Sequence, residues 1–247
     1  MVQAPQRTAF SGPTLIRLLA RLTDVEFTES RQSLSDRLSQ WLHWTDAIAL
    51  STALNGNPPA VPAGARDFGS GEENECARVR SALANAIAGN NAFAAIKRHG
   101  PAQAPAHGAP TDAAVDYPVF RQHYLAMQQA METGIGNLRG RLREKLAART
   151  SAMTRLAEVD AVMERALSAR ERSLLATVPA LLGGHFERLR QAEQKTLADA
   201  QASGDAPAVT PGAWLAVFRK DMQSVLLAEL ELRFQPVEGL LAALRTS

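Results

Sequence analysis

Residues 138–174 read LRGRLREKLAARTSAMTRLAEVDAVMERALSARERSL, and their pattern decides the fold. Leu138, Leu142, Leu146, Met153, Leu156, Met163, Leu167 and Leu174 recur at spacings of three, four and seven. That is one stripe of an α-helix, not the two-residue alternation of a strand. A continuous coiled coil needs apolar residues at every seam position. Arg149, Asp160 and Arg170 fall on this seam, so a clean heptad fails and a partly exposed helical hairpin is expected.

The helical signal extends outward in both directions. Toward the N-terminus it reaches Asp116-Tyr117-Pro118 through Tyr124, Met127 and Met131, with Gly134 and Gly136 as weak points. Toward the C-terminus, Pro179 and Gly183-Gly184 predict a turn or kink. Phe186 to Ala202 continues as helix. Thr210-Pro211 then reads as a cap and first turn for a helix burying Trp214, Leu215, Phe218, Met222, Leu226 and Leu230. Pro236 is expected to end that helix or to start a short one through Leu244.

Earlier in the chain, Ser11-Gly12-Pro13 opens a helix whose apolar face carries Leu15, Ile16, Leu18, Leu19 and Leu22. Leu34, Leu38, Trp41, Leu42 and Ile48 give either one bent helix or two, the second capped by Thr45. Glu72 to Arg98 is helical, opening with acidic residues that complement the N-terminal dipole. The domain organisation expected is an N-terminal helical module over 1–56, a linker over 57–71, a helix over 72–99, a linker over 100–115, and a hairpin with C-terminal helices over 116–247. A further linker is expected from Ser203 to Val209, and residues 1–11 read as a tail.

Composition agrees with an all-α helical bundle built on a long central helical hairpin, with flexible Pro/Gly/Ala-rich linkers. Hydrophobic residues make up 46% of the 247 and charged residues 21%, which places the chain in the globular class. Aromatics are 5%, low for a β-rich fold. The net charge of +2 is too small to argue for nucleic acid or membrane by itself. Cys76 is the single cysteine, so no internal disulfide forms and a reducing compartment is natural. With no signal-peptide pattern at Met1 to Ser11 and no apolar run near the ~18–20 residues of a transmembrane helix, a cytoplasmic location is expected.

Motifs that carry chemistry fail on spacing or context. Gly134-Ile135-Gly136 lacks a preceding strand and a Gly-Lys-Ser/Thr ending, so it is no phosphate loop. His43, His99, His107, His123 and His185 are scattered, and Cys76 stands apart from them, so no metal ligand set is indicated. Cys76 follows Glu72, Glu73 and Glu75, whose charges oppose the thiolate a nucleophile needs. Gly69-Ser70-Gly71 has no strand and helix around it. The carboxylate pairs Glu72/Glu73 and Glu229/Glu231 read as solvated faces, because adjacent or alternate helical positions point to different sides. No catalytic residue, cofactor-binding residue or metal ligand is assigned, no cofactor is expected, and the chain is read as a non-enzyme.

Two stretches stand out. Arg139, Arg141, Arg143, Lys145 and Arg149 face a single acidic residue, Glu144, and Arg141, Lys145 and Arg149 share one helix edge. Such a stripe attracts acidic proteins or phosphate backbones unless carboxylates on another helix, such as Glu158, Glu164 or Glu171, neutralise it. It lacks aromatic residues to stack on bases. The second stretch places Trp41 and Trp44 within four positions, with His43 and Asp46 between and beyond them. Two tryptophans on one helix side make either a core anchor or a docking surface.

Taken together, Ser11-Gly12-Pro13, Arg31-Gln32-Ser33-Leu34, Trp41 to Ile48, Glu171-Arg172-Ser173-Leu174-Leu175-Ala176-Thr177-Val178-Pro179 and Pro211-Gly212-Ala213-Trp214-Leu215 resemble an uncharacterised proteobacterial family catalogued as a domain of unknown function. The resemblance spans the chain apart from its linkers and implies no activity, cofactor or catalytic residue. It implies genes beside those for coiled-coil membrane proteins and OmpA/MotB-like envelope proteins, hence an accessory role at an envelope assembly. The function expected is therefore a cytoplasmic helical adaptor with a protein partner, using Trp41, Trp44 and Asp46 or the basic stripe. The alternative is a nucleic-acid-binding accessory protein working through residues 139–149.

Overall fold

A computed structural model describes residues 13–23, 32–56, 70–89, 116–203, 210 and 212–246. The described residues form eight helices and no strand, as composition and periodicity predict. They are α1 (Thr14–Leu22), α2 (Leu34–Trp41), α3 (Trp44–Asn55), α4 (Ser70–Ala88), α5 (Tyr117–Ala147), α6 (Ser151–Leu175), α7 (Val178–Ser203) and α8 (Ala213–Thr246). The expected tail at 1–11, most of the expected linkers and residues 90–99 lie outside the described residues. Ser70 and Gly71, expected as linker, belong to α4.

The spine is α8, which packs against α1, α4, α5 and α7. Its buried face runs from Leu215 and Phe218 through Met222, Val225 and Phe234 to Leu244. Pro236 neither ends nor restarts it, contrary to the sequence expectation. A proline inside a helix costs ~3 kcal/mol or more. Val237, Leu240, Leu241 and Leu244 beyond it are all buried, at ~1.5–3 kcal/mol per large side chain, so packing outweighs the lost bond.

At the N-terminus of α8 the expected Thr210 cap is replaced by a neighbour. Glu193 of α7 accepts from the backbone N–H groups of Gly212 (3.1 Å) and Trp214 (3.5 Å). Gly212 sits at φ 85°, a backbone conformation that side chains with a Cβ resist. Trp214 then meets Phe186 edge-on at 4.8 Å, and Phe218 meets Phe120 and Phe186 at 5.1 and 5.0 Å. This aromatic cluster joins α5, α7 and α8. Gly183 lets Tyr117 into it: a Cβ there would stand 2.9 Å from the Tyr117 ring.

The central hairpin is α5 and α6, turning at Ala148–Thr150. The turn falls inside the stretch that reads as continuous, because Thr150 caps α6 by accepting from the Met153 N–H at 3.2 Å. Helix α5 runs unbroken through Gly134 and Gly136. Gly134 faces α4, where a Cβ would meet Leu83 at 3.7 Å, an ordinary contact. Ala176 and Thr177 separate α6 from α7, so Pro179 occupies the first turn of α7 and Gly183-Gly184 does not break it.

Helices α2 and α3 pack on α6 rather than on the spine. Ser33 and Asp36 form a reciprocal capping box on α2. Asp46, not Thr45, helps start α3 by accepting from the His43 N–H at 3.2 Å. Leu42 and His43 separate the two helices, so Trp41 and Trp44 do not share a helix side.

Candidate functional site

The basic stripe of α5 is met by carboxylates. Arg139 and Arg143 both bind Asp160 and Glu164 of α6, at 2.5–3.2 Å. Arg141 pairs with Glu75 at 2.7 Å and Lys145 with Glu72 at 3.3 Å, both on α4. Of the three acids expected to neutralise the stripe, only Glu164 does so in these pairs. Glu171 pairs with Arg233 instead. Burial alone would lower the pKa of the Arg143 guanidinium, but hydrogen bonds to Glu164 and Asp160 more than offset it, and the net shift is upward. These ion pairs clamp α6 to α5 near the hairpin turn.

A second polar network lies in the core, where sequence reasoning placed a solvated carboxylate. Glu231 is exposed, but Glu229 is 0% exposed. Glu229 accepts from the Tyr124 hydroxyl at 2.7 Å, from Gln128 Nε2 at 3.0 Å and from Arg233 Nε at 2.9 Å. Arg233 also reaches Glu171 at 2.9 Å, and Gln128 donates to the Leu175 carbonyl at 3.1 Å. Burial, and then the negative charge of Glu229, push the Tyr124 hydroxyl above its ordinary pKa, so it stays a donor. The network is a clasp joining α5, α6 and α8. Both oxygens of Glu229 are engaged and none of its surface is exposed; the clasp reaches solvent at Glu171.

Between the two polar networks, α6 stands off the body and leaves an apolar groove of about 990 Å³. Met163 and Leu167 of α6 face Met131 and Ile135 of α5, Leu15 and Leu19 of α1, and Leu232 and Pro236 of α8 across it. Glu132, Arg172 and the two clamps rim it. A smaller cavity of about 280 Å³ between α4, α5 and α8 is lined by His123, Arg219, Lys220 and Gln223 among others. Burial holds the His123 imidazole below its ordinary pKa.

The N-terminal tryptophans are not a core anchor. Trp41 is half-buried, with the Arg170 guanidinium 5.6 Å from its ring centre, and Trp44 is 80% exposed. Leu34, Ile48 and Leu54 on the same two helices are exposed as well. Asp46 has a structural part, the cap of α3.

Other residues weighed for chemistry are dispersed. Cys76 is buried, and desolvation, helped by Glu75, raises its pKa to about 11. His185 pairs with Asp221 at 2.9 Å beside Phe218. His43 begins α3, while His99 and His107 lie outside the described residues. Among the described residues no three His, Cys, Asp or Glu side chains converge as a metal site, and no helix is long and apolar enough to cross a membrane.

No curated protein and no solved structure matches the chain. A family model described as "Protein of unknown function (DUF3348)" matches residues 1–246. The match covers the clasp, the groove and the tryptophan-bearing helices alike, and the chain belongs to the DUF3348 family.

Proposed function

We propose that this protein is a non-enzymatic helical adaptor that binds another protein, working in the cytoplasm beside an envelope-associated complex. The observation that carries the reading is the outer face of α2 and α3. Leu34, Trp44, Ile48 and Leu54 are each at least half exposed there. Trp44 and Ile48, at i and i+4, lie on one side of α3. Scattered surface leucines need no explanation, but a large exposed aromatic one turn from an exposed isoleucine marks an interaction surface. The envelope association and the bacterial setting rest on the resemblance in the sequence alone.

The test is site-specific photo-crosslinking in cells. A crosslinker at position 48 is expected to give one discrete adduct, lost when Trp44→Glu is added and kept with Val217→Glu, a change on an exposed part of α8. Trp44 contributes little to packing, and an acid in the first turn suits the helix dipole, so W44E leaves the fold intact. A diffuse adduct pattern indifferent to W44E would sink the reading.

The nucleic-acid alternative is weaker, because Arg139, Arg141, Arg143 and Lys145 are paired with Glu72, Glu75, Asp160 or Glu164. A low-salt mobility shift abolished by charge reversal at Arg141, Lys145 and Arg149 would restore it.

A further inference from the structure

We infer that the groove beside α6 receives one amphipathic helix of a partner protein, with Lys or Arg along the edges of its apolar face. The groove follows α6 from Asp160 to Leu175, roughly 24 Å at 1.5 Å per residue, the length of about four helical turns. It is a trough open along its side, and Met131 and Met163 line it. Flexible thioethers suit surfaces that accept a helix side chain by side chain.

The charges along the trough are sorted. The guanidiniums of Arg139 and Arg233 lie inside, their side chains 12% and 7% exposed. Of their carboxylate partners Asp160 and Glu229 are enclosed with them, while Glu164 is 27% and Glu171 46% exposed, and Glu132 on the same rim is 38% exposed. Each inner guanidinium is shared by two carboxylates; Arg143 takes the second oxygens of Asp160 and Glu164, and the exposed carboxylate bound through a single oxygen to its inner guanidinium is Glu171. Arg172, paired with Glu132 at 3.5 Å, is the one exposed cation of the lining. Arg139 and Arg143 balance Asp160 and Glu164, and Arg172 balances Glu132, so the surplus is the one negative charge of the Glu229–Arg233–Glu171 triad, and its accessible end is Glu171. That sign repels anionic lipid headgroups and acidic peptides and favours ammonium or guanidinium edges. The exposed apolar face of α3 in a second copy does not fit, because Trp44–Asn55 holds no Lys or Arg.

The inference takes the partner's class, a protein, from the adaptor reading, but it concerns a different surface. Two labelled 18-residue helical peptides test it against the full chain by fluorescence anisotropy. Both carry the same Leu/Met face, one edged by Lys and the other by Glu. The Lys-edged peptide is expected to bind about tenfold tighter, the scale of two or three exposed ion pairs, and to weaken as salt rises. Glu132→Gln with Glu171→Gln should narrow the preference toward equality. Leu174→Glu, at a half-exposed position on the groove wall, should remove binding while the melting curve stays unchanged.

Equal affinities, or binding indifferent to L174E, overturn the inference. So does a concentration-dependent dimer that L174E dissolves in sedimentation, which makes a second copy the occupant. Loss of peptide preference with the Trp44-dependent crosslink intact sinks this inference alone. Peptide preference with no discrete crosslink sinks the assigned α3 surface and leaves the groove.

Discussion

Replacing Glu229 with Gln tests the buried clasp most directly. The carboxylate holds three donors on two oxygens: Tyr124, Gln128 and Arg233. Glutamine keeps one oxygen and turns an NH2 group toward groups that are themselves donors. The Tyr124 hydroxyl can rotate to accept, and Gln128 can do so only by flipping its amide and giving up the Leu175 carbonyl, but Arg233 Nε cannot accept at all. Removing one partner of a buried ion pair costs ~3–5 kcal/mol. Arg233 retains Glu171, a half-exposed pairing that recovers ~0–1 kcal/mol. The expected loss is therefore ~2–5 kcal/mol, or a fall in Tm of about 6–12 °C for a loss near 3 kcal/mol in a chain of this size. Urea denaturation with an unchanged m-value measures it. A cycle with Tyr124→Phe should show a coupling of ~1 kcal/mol, because the two share one hydrogen bond. A loss below ~1 kcal/mol for E229Q would refute the clasp, since a carboxylate that water can reach tolerates the change.

Three further outcomes follow from the packing. Gly183→Ala should destabilise by ~1–3 kcal/mol through the Tyr117 ring, and Tyr117→Ala should largely cancel that increment in a double-mutant cycle. Cys76 should react with a maleimide at pH 8 at least ~100-fold more slowly in the native protein than in urea, because a rise from 9.0 to about 11 cuts the thiolate fraction by that factor; comparable rates would place the thiol at the surface. His123 should titrate below the ~6.5 of a free imidazole by NMR. The unfolded chain then binds the proton first, so this group's contribution to stability is full above ~6.5 and declines as pH falls toward the depressed native value. His123→Gln should flatten that part of the pH–stability curve, and an unchanged slope counts against it.

The helices were legible because their apolar stripes are long, and α8 shows this best: Leu215, Phe218, Met222, Leu226 and Leu230 are all buried as the spacing predicts. The ends were less legible, because tertiary contacts decide them. Pro236 looks like a terminator until the packing beyond it is known. Thr210 looks like a cap until Glu193 supplies one from another helix. Glu229 illustrates the opposite error. It lies in phase with Phe218, Met222 and Leu226, and Arg233 stands four residues on, so the signal for a buried pair was present. Reading Glu229 only against Glu231 hid it. The tryptophans of α2 and α3 were misplaced for a related reason: aromatic residues at i and i+3 imply one shared face only if the helix is continuous, and the Asp46 cap shows that it is not.

The position of α8 in the chain also governs how the protein is made. Translation delivers α1, α4, α5 and α7 before the helix that all four pack on. Until α8 leaves the ribosome, Leu19, Ile87, Phe120 and Phe186 lack their main apolar neighbour, and domains this dependent on late contacts expose sticky intermediates. Nascent chains halted before Ala213 should be held by chaperones and lost to proteolysis. Native structure should arise after synthesis of α8, not progressively during elongation.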